Sequence, residues 1–313
     1  MLSRVAESVY WLGRYMERAD NTARLLDVHL MQMYDFSLEE IELWGPLISV
    51  TGDEEDFKRE FDLIDQANVL QFLTFSKPYH NSILNCAIYA RENARSIRET
   101  ISKEIWEAVN HFYHLITDRK APTRMKREPD DFFGEIRKTA HLFSGVIEGT
   151  QSRSQSWHFL NIGRMLERAD KTSRILDVKS FAAMPKTKGQ KISPFEGLIG
   201  GALLNSASAL EMYKKRFRQI TPSQVVEFLV LDPLFPRSIH FCLTRAENSL
   251  HAISGTPVGA FSNAPEKLIG KMRSGIDYTE PEDIFEHSLH KYLDQLQGRL
   301  NKVGHAVSEC FFA

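Results

Sequence analysis

The chain has 313 residues, 42% apolar and 26% charged, and its 39 Lys and Arg against 41 Asp and Glu leave a formal charge of −2. That is the composition of an ordinary globular protein. The near-neutral balance excludes a global field steering the chain to nucleic acid or a membrane surface, and no apolar run approaches the roughly 18 residues of a membrane span. Cys86, Cys242 and Cys310 lie far apart with no C-x-x-C pair, which points to reduced thiols and a cytoplasmic setting. The N-terminus, MLSRVAESVYWLGR, carries charges every few residues and lacks the apolar core of a signal peptide.

In chain order the pattern is helical nearly throughout. A first helix is expected from about Ser3 to Tyr34, where Leu12, Met16, Ala19, Ala23, Leu26, Leu30 and Met33 recur at steps of three and four. Further helices are expected at 54–76, 79–100, 102–117, 130–150, 153–179, 194–217, 222–231, 235–253 and 280–312. Five segments fit the capping box S/T-x-x-E/Q: Ser37–Glu40, Thr51–Glu54, Ser193–Glu196, Thr221–Gln224 and Thr279–Glu282. Pro194 and Pro222 stand at first helical positions. Exposed loops are expected at 118–131 and 182–194, both basic, with a third irregular stretch around Gly255, Pro257, Gly259 and Pro265. No alternating segment bounded by hairpin turns argues for strands.

Within this pattern eighteen residues occur twice. Trp11 to Val28 reads WLGRYMERADNTARLLDV and Asn161 to Val178 reads NIGRMLERADKTSRILDV, an offset of 150 with eleven identities. Apolar positions drift while Arg14/Arg164, Glu17/Glu167, Arg18/Arg168, Asp20/Asp170, Arg24/Arg174 and Asp27/Asp177 are kept. A fainter echo follows each copy. Ser82 through Arg91-Glu92-Asn93 resembles Ser238 through Arg245-Ala246-Glu247-Asn248, with Cys86 and Cys242 four residues after each Ser. The duplication predicts an all-α bundle of two tandem halves, 1–150 and 151–313, sharing one core about a pseudo-twofold.

On a helix Arg14, Glu17, Arg18, Asn21 and Arg24 share a stripe, and Arg164, Glu167, Arg168, Lys171 and Arg174 share its counterpart. Apolar residues cover much of the remaining circumference, so part of each stripe is buried, and buried Arg and Glu must be paired. Gly13 and Gly163, costly inside helices, predict a close backbone approach. Two readings follow. In one, the motif helices and the helices carrying Arg91, Glu92, Asn93, Glu247 and Asn248 satisfy one another as an interior polar network. In the other, arginine forks are left free for a ligand carboxylate or phosphate.

Other constellations carry less. Glu104, Glu107, His111 and His114 share a helix face, as do Asp283, His287, His290 and Asp294, but the Glu-x-x-His pair of di-iron bundles is missing and no metal site is expected. Gly197, Gly200 and Gly201 read as close helix packing. The cysteines have no cationic neighbours at helix starts. The basic loops lack interleaved aromatics and read as solvated. No phosphate-binding loop, dinucleotide fingerprint, nucleophile elbow or zinc-protease motif is present, so no cofactor and no catalytic residue is assigned.

The segments YWLGRYMERADNTARLLDV and GRMLERADKTSRILDV, with Tyr89 to Arg95, Ile105-Trp106-Glu107 and Pro236-Arg237-Ser238, resemble the alpha-E family, a bacterial helical domain named for its E-R motif. The E-R residues map to Glu17-Arg18 and Glu167-Arg168. The resemblance implies an all-helical cytoplasmic protein whose relatives are encoded beside, or fused to, a circularly permuted ATP-grasp ligase and a transglutaminase-like peptidase. It therefore implies an accessory protein in peptide synthesis or modification, one that presents the peptide substrate, without nucleic acid or membrane partners. The alternative is a peptide-modifying transferase or ligase component using the Arg/Glu cluster.

Overall fold

The computed structural model describes residues 1–33, 40–177, 194–286 and 288–313. The chain is all-helical. Among the described residues the only extended pairing is an isolated bridge between Val258 and Ala260, and no helix is long and apolar enough to cross a membrane.

The first part of the chain forms α1 (Ser3–Met33), α2 (Glu40–Thr51), α3 (Glu54–Glu60), α4 (Gln66–Phe75), α5 (Ile83–Ser96), α6 (Lys103–Thr117), α7 (Ala121–Arg127) and α8 (Pro129–Thr150). The remainder forms α9 (Gln155–Leu176), α10 (Pro194–Ser206), α11 (Leu210–Arg216), α12 (Pro222–Val226) running into a π turn (Glu227–Leu231), α13 (Ile239–Ser254), α14 (Ala264–Asp277), α15 (Pro281–Glu286) and α16 (Leu289–Phe311).

Helix starts show which sequence signals hold. Thr221 accepts from the Gln224 amide at 3.2 Å, with Pro222 in the first turn, as its capping box requires. Thr51 and Thr279 do not cap: their hydroxyls donate back to the carbonyls of Ile48 and Gly275, completing the preceding helix instead. Ser37 and Ser193 lie outside the described residues. The paired echo supplies two caps of its own, Ser82 accepting from the Asn85 amide and Ser238 from the Phe241 amide.

Several boundaries differ from expectation. The expected 54–76 helix breaks between α3 and α4, where Asp65 caps the second piece. The expected loop at 118–131 contains α7, because buried Ala121 and Met125 anchor it and its Pro122 suits a first turn. The expected helix at 194–217 breaks where Ser208 adopts a left-handed φ of 51°. The irregular stretch after Ser254 gives way to α14, capped by Asn263. Helix α2, with Pro46 inside it, has no counterpart in the expected elements.

Two rings of four helices organise the packing. Helices α1, α5, α6 and α8 contact one another in that cyclic order, and α9, α13, α14 and α16 do the same. Helices α1 and α9 also pack directly on each other, and theirs is the most extensive helix contact among the described residues. Buried apolar residues from Ala6 to Val307 join in one continuous core. Leu12, Ala23 and Leu26 of α1 and Ile162, Ala169 and Leu176 of α9 sit at its centre.

Candidate functional site

Helices α1 and α9 cross at their glycines. A Cβ on Gly13 would stand 2.5 Å from the Leu160 carbonyl oxygen, and a Cβ on Gly163 would press into the Tyr10 carbonyl oxygen. No side chain fits at either position, so the backbones touch there. One turn further along each helix, the kept charges meet across the crossing.

Glu17 accepts from Arg168 in a bidentate pair, Nε to Oε1 at 2.8 Å and Nη2 to Oε2 at 2.7 Å. Glu167 accepts from Arg18 in the same manner, Nε to Oε1 at 2.7 Å and Nη2 to Oε2 at 3.0 Å. The fork geometry fits two parallel N–H donors to one carboxylate. Each arginine then spends a further donor on the loop before a capping serine. Arg18 Nη1 donates to the Asn81 side chain at 2.5 Å, and Arg168 Nη1 to the Pro236 carbonyl at 3.2 Å.

Each carboxylate receives additional positive charge, but from different places. Glu17 accepts from Arg237 Nη1 at 3.1 Å, in the loop before α13. Glu167 accepts from Arg14 Nε at 2.6 Å and has the Lys171 ammonium, one turn along its own helix, at 3.8 Å. Around Glu17, then, Asn21 and Arg237 stand where Lys171 and Asn81 stand around Glu167. Asn21 donates to Glu17 at 3.0 Å and accepts from Arg237 at 3.3 Å.

A second tier lies beyond. Asp20 Oδ2 accepts from Arg24 Nη1 at 3.0 Å and Arg237 Nη2 at 2.8 Å, while Asp170 Oδ2 accepts from Arg174 Nε at 2.9 Å. Arg24 is fully buried and also donates to the Ser206 carbonyl and to Asn21. Arg164 donates to Ser144 of α8 at 3.0 Å.

Burial alone would raise the Glu17 carboxyl, but Arg168, Arg237 and Arg164 outweigh it and hold it well below the usual carboxylate range. Glu167 is held down against burial by Arg18, Arg14 and Lys171, and Asp20 by Arg24 and Arg237. The cost of crowding falls on two arginines. Arg24 is pushed down to about 10 by burial and by Arg237, and Arg164 to about 10 by burial and by Arg168. Around Glu17, Glu167, Asp20 and Asp170 the chain gathers Arg14, Arg18, Arg24, Arg164, Arg168, Arg174 and Arg237, with Lys171 beside them.

Residues 1–312 match the family described as Alpha-E, "a predicted alpha-helical domain with a conserved ER motif". The chain belongs to the Alpha-E family. It is also similar to uncharacterized proteins of Mycobacterium bovis and of two strains of Mycobacterium tuberculosis, each 22% identical over 303 residues. Those matches cover 91% of this chain and 33% of each relative, so the chain spans about a third of the length of the curated relatives it matches. No solved structure matches.

In this Alpha-E chain the two Glu-Arg pairs, Glu17-Arg18 and Glu167-Arg168, therefore interlock with each other. Arg14, Asn21, Arg24, Arg164 and Arg174 belong to the same centre. The Glu-Asn echo does not. Glu92 is exposed and paired with Arg95, Asn93 donates to its own helix at Tyr89, and Arg91 turns to Asn110 and the Tyr113 ring. Glu247 is buried but faces Arg273 of α14, and Asn248 is exposed. The expectation that those side chains complete the centre is thus corrected: their helices supply apolar packing and capping loops instead.

Arg237 and Asn81 are the members that the duplicated motif did not reveal. Arg237 stands in the family-like segment Pro236-Arg237-Ser238, and each of the two directly precedes the serine that caps the echo helix. Glu104, Glu107, His111 and His114 are all exposed on α6. Asp283 and Asp294 are exposed and His290 accompanies Asp177, while His287 lies outside the described residues. Among the described residues no group of three such side chains converges as a metal site would. Cys86 and Cys242 are fully buried beside the centre, and burial pushes each thiol up to about 12.

Proposed function

We propose that this Alpha-E chain is a non-catalytic helical partner of a circularly permuted ATP-grasp amide ligase and a transglutaminase-like peptidase. It would act in the cytoplasm on the synthesis or modification of a peptide. One observation carries the non-catalytic part: the buried Glu17 and Glu167 are consumed by bidentate pairing across the α1–α9 crossing. A general base needs a carboxylate that can take up a proton near neutral pH. These two are held far from that range. The buried Cys86 and Cys242 thiols, at about 12, are equally unsuited to attack. The length of the mycobacterial relatives supports a module that works beside other domains.

The same centre supports an origin by duplication, with halves 1–150 and 151–313 related by an approximate twofold through the Gly13–Gly163 contact. The two helix rings run in corresponding order, and Arg18–Glu167 corresponds to Arg168–Glu17 at an offset of 150.

Co-expression with the ATP-grasp protein encoded in the same genome, followed by size-exclusion chromatography, tests the proposal. Co-elution is the expected result. Separate elution, together with ATP turnover or amide formation by the isolated chain, would instead establish the competing reading, a peptide-modifying enzyme using the Arg/Glu centre.

A further inference from the structure

The Arg/Glu centre is built twice, and its two sides differ in access. The duplication pairs Trp11, Arg14, Tyr15 and Arg18 of α1 with Asn161, Arg164, Met165 and Arg168 of α9, and Lys171 with Asn21. On the Glu17 side Asn21, Asn161, Arg164, Met165 and Arg168 are all buried. On the Glu167 side each counterpart, Trp11, Arg14, Tyr15, Arg18 and Lys171, is only half-buried. Side-chain choice makes the difference. Asn161 donates to Ser249 at 2.9 Å and Asn21 to Glu17 at 3.0 Å, which closes the first side. On the second side Tyr15 instead stacks on Trp11 and leans on Tyr89, with ring centroids 5.5 and 5.3 Å apart.

The open side also holds more cation than its carboxylate can use. Arg14, Arg18 and Lys171 converge on the fully buried Glu167 at 2.6, 2.7 and 3.8 Å, and their side chains keep 15%, 14% and 19% of their surface accessible. Asp170, the next carboxylate, is already engaged by Arg174 at 2.9 Å. Among the described residues three donors are left over. Arg14 spends Nε on Glu167 and Nη1 on the Tyr10 hydroxyl, which leaves Nη2. The Lys171 ammonium stands 3.5 Å from Asp170 and makes no hydrogen bond. Asn81 accepts from Arg18 and leaves its own Nδ2 unused. On the closed side the counterparts of Lys171 and Asn81 meet each other, Arg237 donating to Asn21 at 3.3 Å. Lys171 and Asn81 are both donors and cannot satisfy one another in that way. A cation stripped of most of its water without a matching anion is costly, so the place between them calls for an acceptor from outside the chain.

We propose that the Glu167 side of the centre binds an oxyanion, a carboxylate or a phosphate, carried by a ligand with a planar or apolar portion. The oxyanion accepts from Lys171 Nζ and Asn81 Nδ2, with Arg14 and Arg18 adding their charge. Tyr15, whose ring lies 5.8 Å from the Arg18 guanidinium carbon, and Tyr89 beside it give the rest of the ligand a shelf. The site stands whether or not the chain meets a ligase, so separate elution from that partner leaves it intact.

Titration of the full chain with benzoate and with phenyl phosphate, at ionic strength held constant with sodium chloride, tests it. The readout is the pair of nitrogen–proton NMR signals from the Asn81 side-chain amide and Arg18 Nε, with uncharged benzamide as comparator. Saturable shifts are expected with at least one anion and none with benzamide. The tighter of the two anions tells a carboxylate ligand from a phosphate ligand. Lys171→Asn, which installs the closed side's residue, should weaken binding on the order of tenfold, while Lys103→Asn on the exposed face of α6 should leave it unchanged. Tyr15→Met, again copying the closed side, should weaken it too, and it serves as the test if Lys171→Asn does not fold. No saturable shift with either anion, an equal shift with benzamide, or an affinity that Lys171→Asn leaves unchanged would each overturn the proposal.

Discussion

Arg18 grips Glu167 through Nε and Nη2, at 2.7 and 3.0 Å, from a helix that precedes it by 149 residues in sequence. Arg168 grips Glu17 in return. A buried carboxylate stripped of its cation is strongly destabilising, so the centre is where substitutions should tell most.

Arg168→Ala is expected to lower stability by about 3 kcal/mol, near the bottom of the range for broken buried pairs, because Arg237 still reaches Glu17. Arg18→Ala should cost less, since Arg14 and Lys171 remain around Glu167. Thermal and urea melts check both values. Unchanged midpoints would mean that the pairs contribute nothing to holding the helices together.

The glycines separate into two groups. Gly13→Ala or Gly163→Ala should drive a Cβ into a backbone carbonyl and cost more than about 3 kcal/mol, as overpacking against rigid backbone does. Gly145→Ala and Gly149→Ala on α8 meet nothing within 4 Å and should stabilise by up to about 1 kcal/mol. Chemical denaturation of the four variants reads out the contrast.

Acid should unfold the protein through the centre. In the folded chain the Glu17, Glu167 and Asp20 carboxyls lie below their ordinary values of 4.5, 4.5 and 3.8. The unfolded chain therefore takes up protons first as pH falls. The stability they contribute is fully present above about pH 4.5 and is lost progressively below it. The urea midpoint should be insensitive to these groups between about pH 5 and about pH 7, above the carboxylate range, and should drop steeply below about pH 4. A midpoint that rises on acidification would contradict the assignment.

The exchange of Asn21 and Arg237 for Lys171 and Asn81 predicts coupled substitutions. Lys171→Asn should destabilise by roughly 1 kcal/mol, and adding Asn81→Arg should recover part of that loss by restoring the arrangement seen around Glu17. Asn81→Arg alone should be the worse single change, since it adds a cation beside Arg18, Arg14 and Lys171. A double-mutant cycle without coupling would show that the two positions are independent.

Much of this was written in the sequence. Charge kept at fixed spacing on an otherwise apolar helix has to be paired inside, and the costly Gly13 and Gly163 announce a close crossing. Spacing tells which residues share a face but not where that face points. That is why Glu92 and Asn248, on helices that do flank the motif, turn outward, and half-buried Asn93 bonds its own helix. Arg237 stood out only as part of Pro236-Arg237-Ser238; its place in the centre was not legible because it belongs to a loop, which has no periodicity to read. Helix α7 was obscured by its basic residues and Pro122, although Ala121 and Met125 anchor it, and α2 by Gly45 and Pro46 in its interior.

The reach of the α1–α9 contact has a consequence for biosynthesis. Helix α1 leaves the ribosome before α9, carrying an acidic group whose counter-ions, Arg168 and Arg237, are encoded 151 and 220 residues later. Until α9 arrives, Glu17 has to stay hydrated, and the apolar stripe around it cannot close. The nascent segment made before α9 is therefore obliged to remain loose, a natural client for a holding chaperone, and it commits to its final form when α9 emerges.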